Sequence, residues 1–354
     1  MTKKRRVMVL VHADLVPPDT AEGVDLTAVE WRTEYDVVTG LRQLGHEVLA
    51  VGVRDDLLVI RSVVDDWKPH IAFNLLEEFS GVAIYDQNVV SYLELSGVPY
   101  TGCNPRGLML ARDKALAKKI LHYHRIAIPE FITVPVGRSV KRPKELNFPL
   151  FVKSVSEEAS LGISQASIVD DDGKLEERVA FIHKNVGTGA LVERYIEGRE
   201  LYVGVLGNRR VQTFPVWELD LSNMPEEARR IATERVKWSG AYQNKYGIKS
   251  GEAEGLPEGA TEKIREIARR TYGILGLSGY ARIDLRLDPS GGIYVLEANP
   301  NPQIAKGEDF ADSAERAGLP YGALLQRILD LGLRWHPRFI PSDRTAPVSG
   351  RIGS

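Results

Sequence analysis

The chain of 354 residues holds a single cysteine, Cys103, so neither an internal disulfide nor a thiolate metal cluster can stabilise it. That scarcity fits a reducing compartment. Charge of one sign is also missing: 46 Lys and Arg against 48 Asp and Glu leave a formal net charge of −2. This excludes the broad basic field that would hold nucleic acid or an anionic membrane and points to small-molecule partners. Long hydrophobic runs are absent as well. Residues 1–6 are basic, but the apolar stretch 7–11 stops at His12, too short for a signal-peptide core or a membrane span. A cytoplasmic location is the resulting expectation. What is present, 43% hydrophobic and 27% charged residues, is the composition of an ordinary globular chain. The length predicts two or three domains with sizeable cores.

Residues 7–11 are apolar throughout and bounded by charge, which is the pattern of a strand buried on both faces of a parallel sheet. Helical spacing over residues 28–44, a stop at Gly45 and a strand over 47–53 complete one βαβ unit. A third strand at 71–74 and a helix at 86–96 follow, and the N-terminal region closes by Gly102. A helix over 113–123 leads to strands near 131–134, 150–153 and 163–169. From Ala190 onward, antiparallel signals dominate. Strands over 201–206 and 210–217 flank Gly207-Asn208, a dipeptide suited to a tight turn, and a helix over 261–275 precedes a last hairpin, 280–287 with 293–298. Past Leu333, scattered Pro, Gly and Ser predict a mobile tail. The expected divisions are 1–103, 104–190, 191–335 and a tail at 336–354.

The last hairpin carries the sharpest chemistry. Alternation puts Arg282, Asp284 and Arg286 on one face and Ile283, Leu285 and Leu287 on the other. A four-residue loop, 289–292, pairs Asp288 with Ile293, and so sets Asp284 opposite Glu297 and Arg282 opposite Asn299. Carboxylates directly opposite each other repel unless a cation lies between them. Oxygen donors without His or Cys suit Mg²⁺, which completes its shell with water and phosphates and thereby implies a nucleotide. The plainer alternative is a surface hairpin neutralised by Arg282 and Arg286. Two further segments bear on this choice. Lys153 ends a strand before a loop containing Ser160 and Gly162, a combination able to fold over phosphates. The strand that carries Glu193 runs through Tyr195 and Ile196 to Glu200, placing backbone amides and carboxylates where an adenine edge and ribose hydroxyls could be read. A solvated strand end and a charged hairpin rim are the alternatives there.

These residues together resemble the ATP-grasp superfamily, and within it the D-alanine:D-alanine ligase-like carboxylate–amine ligases. The likeness runs from about Val7 to Leu331 and rests on Asp113-Lys114, residues 149–153, the Ser160-Leu-Gly162 loop, residues 192–200, Lys245-Tyr246, Arg282-Ile-Asp284 and Glu297-Ala-Asn299-Pro. It implies an α/β protein of three domains, with an N-terminal parallel sheet and ATP clamped between two antiparallel sheets. By resemblance, Lys114, Lys153 and Lys245 bind phosphates, Glu193 with the backbone of Tyr195 and Ile196 binds adenine, and Glu200 binds ribose. Asp284, Glu297 and Asn299 then hold two Mg²⁺ ions, for which Mn²⁺ could substitute. Arg282 stabilises an acyl phosphate and the tetrahedral species formed when an amine attacks it. The partners implied are a small carboxylate and a small amine, with the assembly state open, a homodimer included.

Departures from the ligase pattern fall on the substrate side. Ala159 stands for the first of a serine pair, Gln303 for a small residue near the oxyanion, and Glu308 for a serine that receives a substrate carboxylate. Residues 74–81 replace a histidine-containing loop, and residues 14–25 lack the substrate-amine motif. The expectation is an amide-forming ligase whose acid and amine differ from D-alanine, with Glu308 able to receive a basic group. D-alanine:D-alanine ligase itself and a non-catalytic ATP-binding regulator are the alternatives. A biotin-dependent carboxylase is disfavoured because the chain shows no carrier-lysine motif.

Overall fold

A computed structural model describes residues 3–156, 162–225 and 228–337. Among the described residues, twelve strands form three sheets. β1 (Arg6–His12), β2 (Glu47–Val53) and β3 (Ile71–Asn74) make a parallel sheet in the order β2-β1-β3. β4 (Phe131–Val134), β5 (Leu150–Ser154), β6 (Ile168–Val169) and β7 (Ala190–Arg194) make an antiparallel sheet in the order β4-β7-β5-β6. The third sheet, also antiparallel, is β10-β9-β8-β11-β12, built from β8 (Arg199–Gly207), β9 (Val211–Asp220), β10 (Lys249–Glu252), β11 (Tyr280–Leu287) and β12 (Ile293–Pro300).

The continuous apolar run in β1 has the cause expected of it, because both faces are covered. Val7, Val9 and Val11 pack with Val37, Val38 and Leu41 of the helix Arg32–Gln43 and with Leu324, Leu325 and Ile328 of the helix Tyr321–Leu333. Met8 and Leu10 face the opposite way, into a core shared with Ile60, Val89 and Leu93. That second core continues unbroken into Leu201, Val203, Ile283 and Leu285 of the five-stranded sheet. The first and last regions of the chain therefore share their apolar interior. The four-stranded sheet keeps a core of its own, drawn from residues between Ile132 and Val192.

Several expectations shift in detail. β7 pairs with both β4 and β5, so the central sheet extends to Arg194 and the division at 190/191 cuts one of its strands. The turn after β8 is Asn208 to Arg210, because Gly207 still pairs with Val211. Asn208 then uses its side chain, accepting from Gly279 N at 3.0 Å and donating to Leu331 O at 3.1 Å. The strand expected over 163–169 is a short 3₁₀ turn followed by β6 alone. Helices at Leu58–Trp67, Pro105–Arg112, Asp172–Phe181 and Asp309–Arg316, and the strand β10, are further elements of the fold. Most of the expected tail, residues 338–354, lies outside the described residues. Among those described, no helix is long and apolar enough to cross a membrane.

Candidate active site

A cleft open to solvent lies between the two antiparallel sheets. Its floor comes from β5 and β7, its opposite wall from β8, β11 and β12, and its hinge from the connection 195–198. Gly198 makes that connection possible. Its φ of +136° is a glycine conformation, and a Cβ there would lie 2.1 Å from Leu287 O. The close approach lets Arg286 of β11 hold the hinge, donating to Ile196 O at 3.2 Å and Gly198 O at 3.3 Å, while its other nitrogen bonds Glu200 at 2.7 Å.

The hairpin β11–β12 places Asp284 opposite Glu297 and Arg282 opposite Asn299, as the alternation required. The route differs from the expected one. Leu287, rather than Asp288, pairs with Ile293, and a bulge at Leu296 absorbs one residue and restores the register before Glu297. Asp284 and Glu297 have unlike surroundings. Burial raises the Asp284 pKa, which Arg282 opposes and the facing Glu297 augments. Burial would raise that of Glu297 too, but Lys153, Lys114, Lys237 and Arg282 outweigh it and hold this carboxyl well below its ordinary range.

Lysines crowd the Glu297 carboxylate. Lys114 opens the helix Lys114–Tyr123, whose N-cap Asp113 accepts from Leu116 N at 2.8 Å, and it lines the cleft. Lys153 reaches Glu193 at 3.1 Å and Glu297 at 3.8 Å. Glu193 is thus a buried counter-ion between two lysines, Lys153 and Lys118, the latter at 2.9 Å. Glu200 is engaged through both oxygens, by Arg286 and by Tyr202 Oη at 2.9 Å. Tyr195 and Ile196 line the cleft as expected. Ser160 and Ala159 fall outside the described residues.

Arg282 grips Asp284 with two bonds, at 2.8 and 2.9 Å, and stacks its guanidinium 4.6 Å from the Tyr202 ring. The plainer reading of the hairpin is therefore partly realised, since Arg282 and Arg286 each neutralise a carboxylate. A hard cation nevertheless fits here. An ionised carboxylate has about four acceptor positions, so Asp284 retains capacity, and Glu297 faces the cleft as an anion. The buried Asn299 amide nitrogen has no hydrogen-bond partner, and an amide flip would aim its oxygen there instead. Among the described residues no three His, Cys, Asp or Glu side chains form a metal site alone, so water and phosphate oxygens would complete a Mg²⁺ shell.

Lys245 is placed elsewhere. It is exposed on the helix Gly240–Tyr246, its ammonium 4.9 Å from the Tyr246 ring, and does not line the cleft. Lys237 lines it instead, on the short helix Glu234–Trp238. No periodicity in that segment marks it. Lys118 was legible in principle, because it follows Lys114 by four residues and so shares its helix face.

Two antiparallel sheets closing on a cleft of lysines and paired acids define the ATP-grasp class of proteins. The family profile described as D-ala D-ala ligase C-terminus matches residues 120–330. An uncharacterized protein of Sinorhizobium fredii, y4sG, is 32% identical over 311 residues, 86% of this chain and 88% of that protein. The D-alanine–D-alanine ligase of Desulforudis audaxviator is 29% identical over 313 residues, covering 86% and 93%. Among solved structures, the D-alanine–D-alanine ligase from Bacillus anthracis complexed with ATP aligns with a TM-score of 0.71 at 23% identity, covering 93% of this chain and 98% of that one. The VanG D-Ala:D-Ser ligase from Enterococcus faecalis aligns with a TM-score of 0.66 at 20% identity, covering 93% and 100%. The chain belongs to the D-alanine–D-alanine ligase family of ATP-grasp proteins.

Proposed function

We propose that the protein is an ATP-dependent carboxylate–amine ligase that forms an amide bond through an acyl phosphate, with D-alanine the first substrate to test in both positions. The observation that carries this reading is the register that sets Asp284 against Glu297 in a cleft that Lys114, Lys153 and Lys237 also line. Asp284, Glu297 and Asn299 would hold up to two Mg²⁺ ions, or Mn²⁺ in their place, which supply neutralising charge to a triphosphate. Lys153 and Lys114 bind its oxygens as point charges, and the hinge at Tyr195 and Ile196 receives the base, with Glu200 at the ribose. A substrate carboxylate positioned beside the γ-phosphate displaces ADP, giving an acyl phosphate. Positioning and charge neutralisation supply most of the rate. The amine then attacks the acyl carbon, Arg282, presented on β11, stabilises the oxyanion, and the C–O bond breaks to release inorganic phosphate and the amide.

The named relatives favour D-alanine over the different acid and amine expected from Ala159, Gln303 and Glu308. The structure also weakens one ground for that expectation. Glu308 does not stand as an isolated repelling charge, because Arg32 of the N-terminal region pairs with it at 3.4 Å. Gln303 is turned away to Thr33 Oγ1 at 3.1 Å. The test supplies Mg²⁺-ATP with D-alanine alone. D-alanyl-D-alanine with equimolar ADP is the expected product, ADP appearing only with another acid and amine pair would move the substrate assignment, and no ADP from any pair would overturn the ligase reading. Glu297→Gln is expected to lower turnover by about a hundredfold or more, with an unchanged melting temperature, on the scale set by removing a preorganised charge contact. A fully active variant would remove the metal assignment.

A further inference from the structure

Among the described residues, Lys118 is the one lysine of the charge cluster that does not line the cleft. It is 2% exposed. Its ammonium sits beneath Glu193, 2.9 Å from Oε2, while Lys153 approaches Oε1 of the same carboxylate at 3.1 Å and reaches on toward Glu297 at 3.8 Å. The four groups form a chain of alternating charge, Lys118, Glu193, Lys153 and Glu297, that is neutral as a whole. Burial lowers the Lys118 pKa, with Lys153 adding to the effect, and Glu193 offsets part of it. Burying an ammonium is costly unless it is paired, and replacing such a pair with apolar residues is often neutral for stability, so stability alone gives no reason for this one.

Lys118 reaches no ligand, so its effect must pass through Glu193. Lys153 has two competing partners once a nucleotide enters: the carboxylate beneath it and the phosphate oxygens in front of it. We infer that Lys118 is a positioning residue, which holds the Glu193 charge so that Lys153 can turn from that carboxylate to a nucleotide phosphate. Without Lys118, Glu193 would retain Lys153 as its sole cation, and the cleft would carry one more uncompensated negative charge facing an anionic ligand. This inference rests on the nucleotide reading of the cleft given above.

The test is a double-mutant cycle read by calorimetric binding of the non-hydrolysable analogue adenylyl imidodiphosphate with Mg²⁺. The parent is measured first, and a parent that binds no adenine nucleotide would overturn the nucleotide reading itself. Lys118→Met is expected to weaken binding about tenfold in the parent background and less than twofold in a Glu193→Gln background, where no carboxylate competes for Lys153. In turnover, KM for ATP should rise while KM for the amino acid and kcat stay within about threefold, a split that a general loss of packing would not give. If Lys118→Met fails to fold, Lys118→Gln takes its place in the same cycle. Equal losses in both backgrounds, or no loss in either, would overturn the inference.

Discussion

At the level of single residues, the roles of the cleft lysines separate cleanly by position. Lys237 lines the cleft and helps hold the Glu297 carboxyl ionised, whereas Lys245 points to solvent. Lys237→Ala is therefore expected to raise KM for Mg²⁺-ATP about tenfold or more, and Lys245→Ala to leave it within about twofold, as for most exposed substitutions; the reverse order in steady-state kinetics would restore Lys245 to the phosphate site. A second residue matters for stability. Glu34 is 6% exposed, and burial, reinforced by Glu77, pushes its pKa up to about 7 from an ordinary 4.5. A raised carboxyl pKa means that the folded state holds the proton more tightly, so the stability it contributes is full below about pH 4.5 and is lost as pH rises through about 7. Glu34→Gln should match the parent at pH 4.5 and exceed it by up to about 3 kcal/mol at pH 8, since each tenfold difference in proton affinity between folded and unfolded chains is worth about 1.4 kcal/mol. Urea unfolding at the two pH values checks this, and a constant difference would refute it. The sequence disclosed Asp284, Glu297 and Asn299 because strand alternation is a local property. It was silent on Lys237, whose place depends on how an aperiodic segment crosses the cleft.

Among the elements, that crossing segment has a visible fastening. Ile231, Ala232 and Lys237 line the cleft, and the segment reaches the four-stranded sheet through Arg229. Gln165 donates to Arg229 O at 3.0 Å and accepts from Arg229 N at 2.8 Å, and Arg229 pairs with Asp170 at 2.9 Å. All three contacts are exposed, so each contributes on the order of 1 kcal/mol or less. Together they fasten the segment weakly to the four-stranded sheet's side of the cleft. Gln165→Ala with Asp170→Asn should speed nucleotide dissociation about three- to tenfold in stopped-flow measurements with a fluorescent ATP analogue, and an unchanged off-rate would show that the contacts carry no part of closure. Legibility varied here for identifiable reasons. The helix Leu58–Trp67 is rich in Val and Ile, which favour strands, and its Ile60, Val63, Val64 and Trp67 pack on the core at helical spacing. The helix Pro105–Arg112 carried a readable start, with Asn104 capping Gly107 N and Pro105 at the first position. The hairpin register was right at Asp284 because two deviations, a shifted loop pairing and the bulge at Leu296, compensate.

For the molecule as a whole, the divisions that a sequence suggests are not the units that share a core. The helix Tyr321–Leu333, at the far end of the described chain, seals one face of the N-terminal parallel sheet, while the opposite face of that sheet merges with the core of β8 and β11. The four-stranded sheet, by contrast, has an apolar interior drawn wholly from its own region. No local pattern could announce this, because an apolar helix face shows that it is buried and not what buries it. The arrangement makes the outer two regions one frame with a shared core, and the four-stranded sheet packs apart from it around its own. Ile328→Ala is expected to cost about 2–5 kcal/mol as a core truncation. That loss should appear far away in sequence. In native-state hydrogen exchange, protection of β1 amides should fall by the full amount, together with those of β8 and β11, while β5 and β7 change little. Equal loss of protection in β5 and β7 would mean that the whole chain unfolds as one cooperative unit. Loss confined to residues near Ile328 would mean that the helix frays alone, and the shared frame would then have no energetic reality.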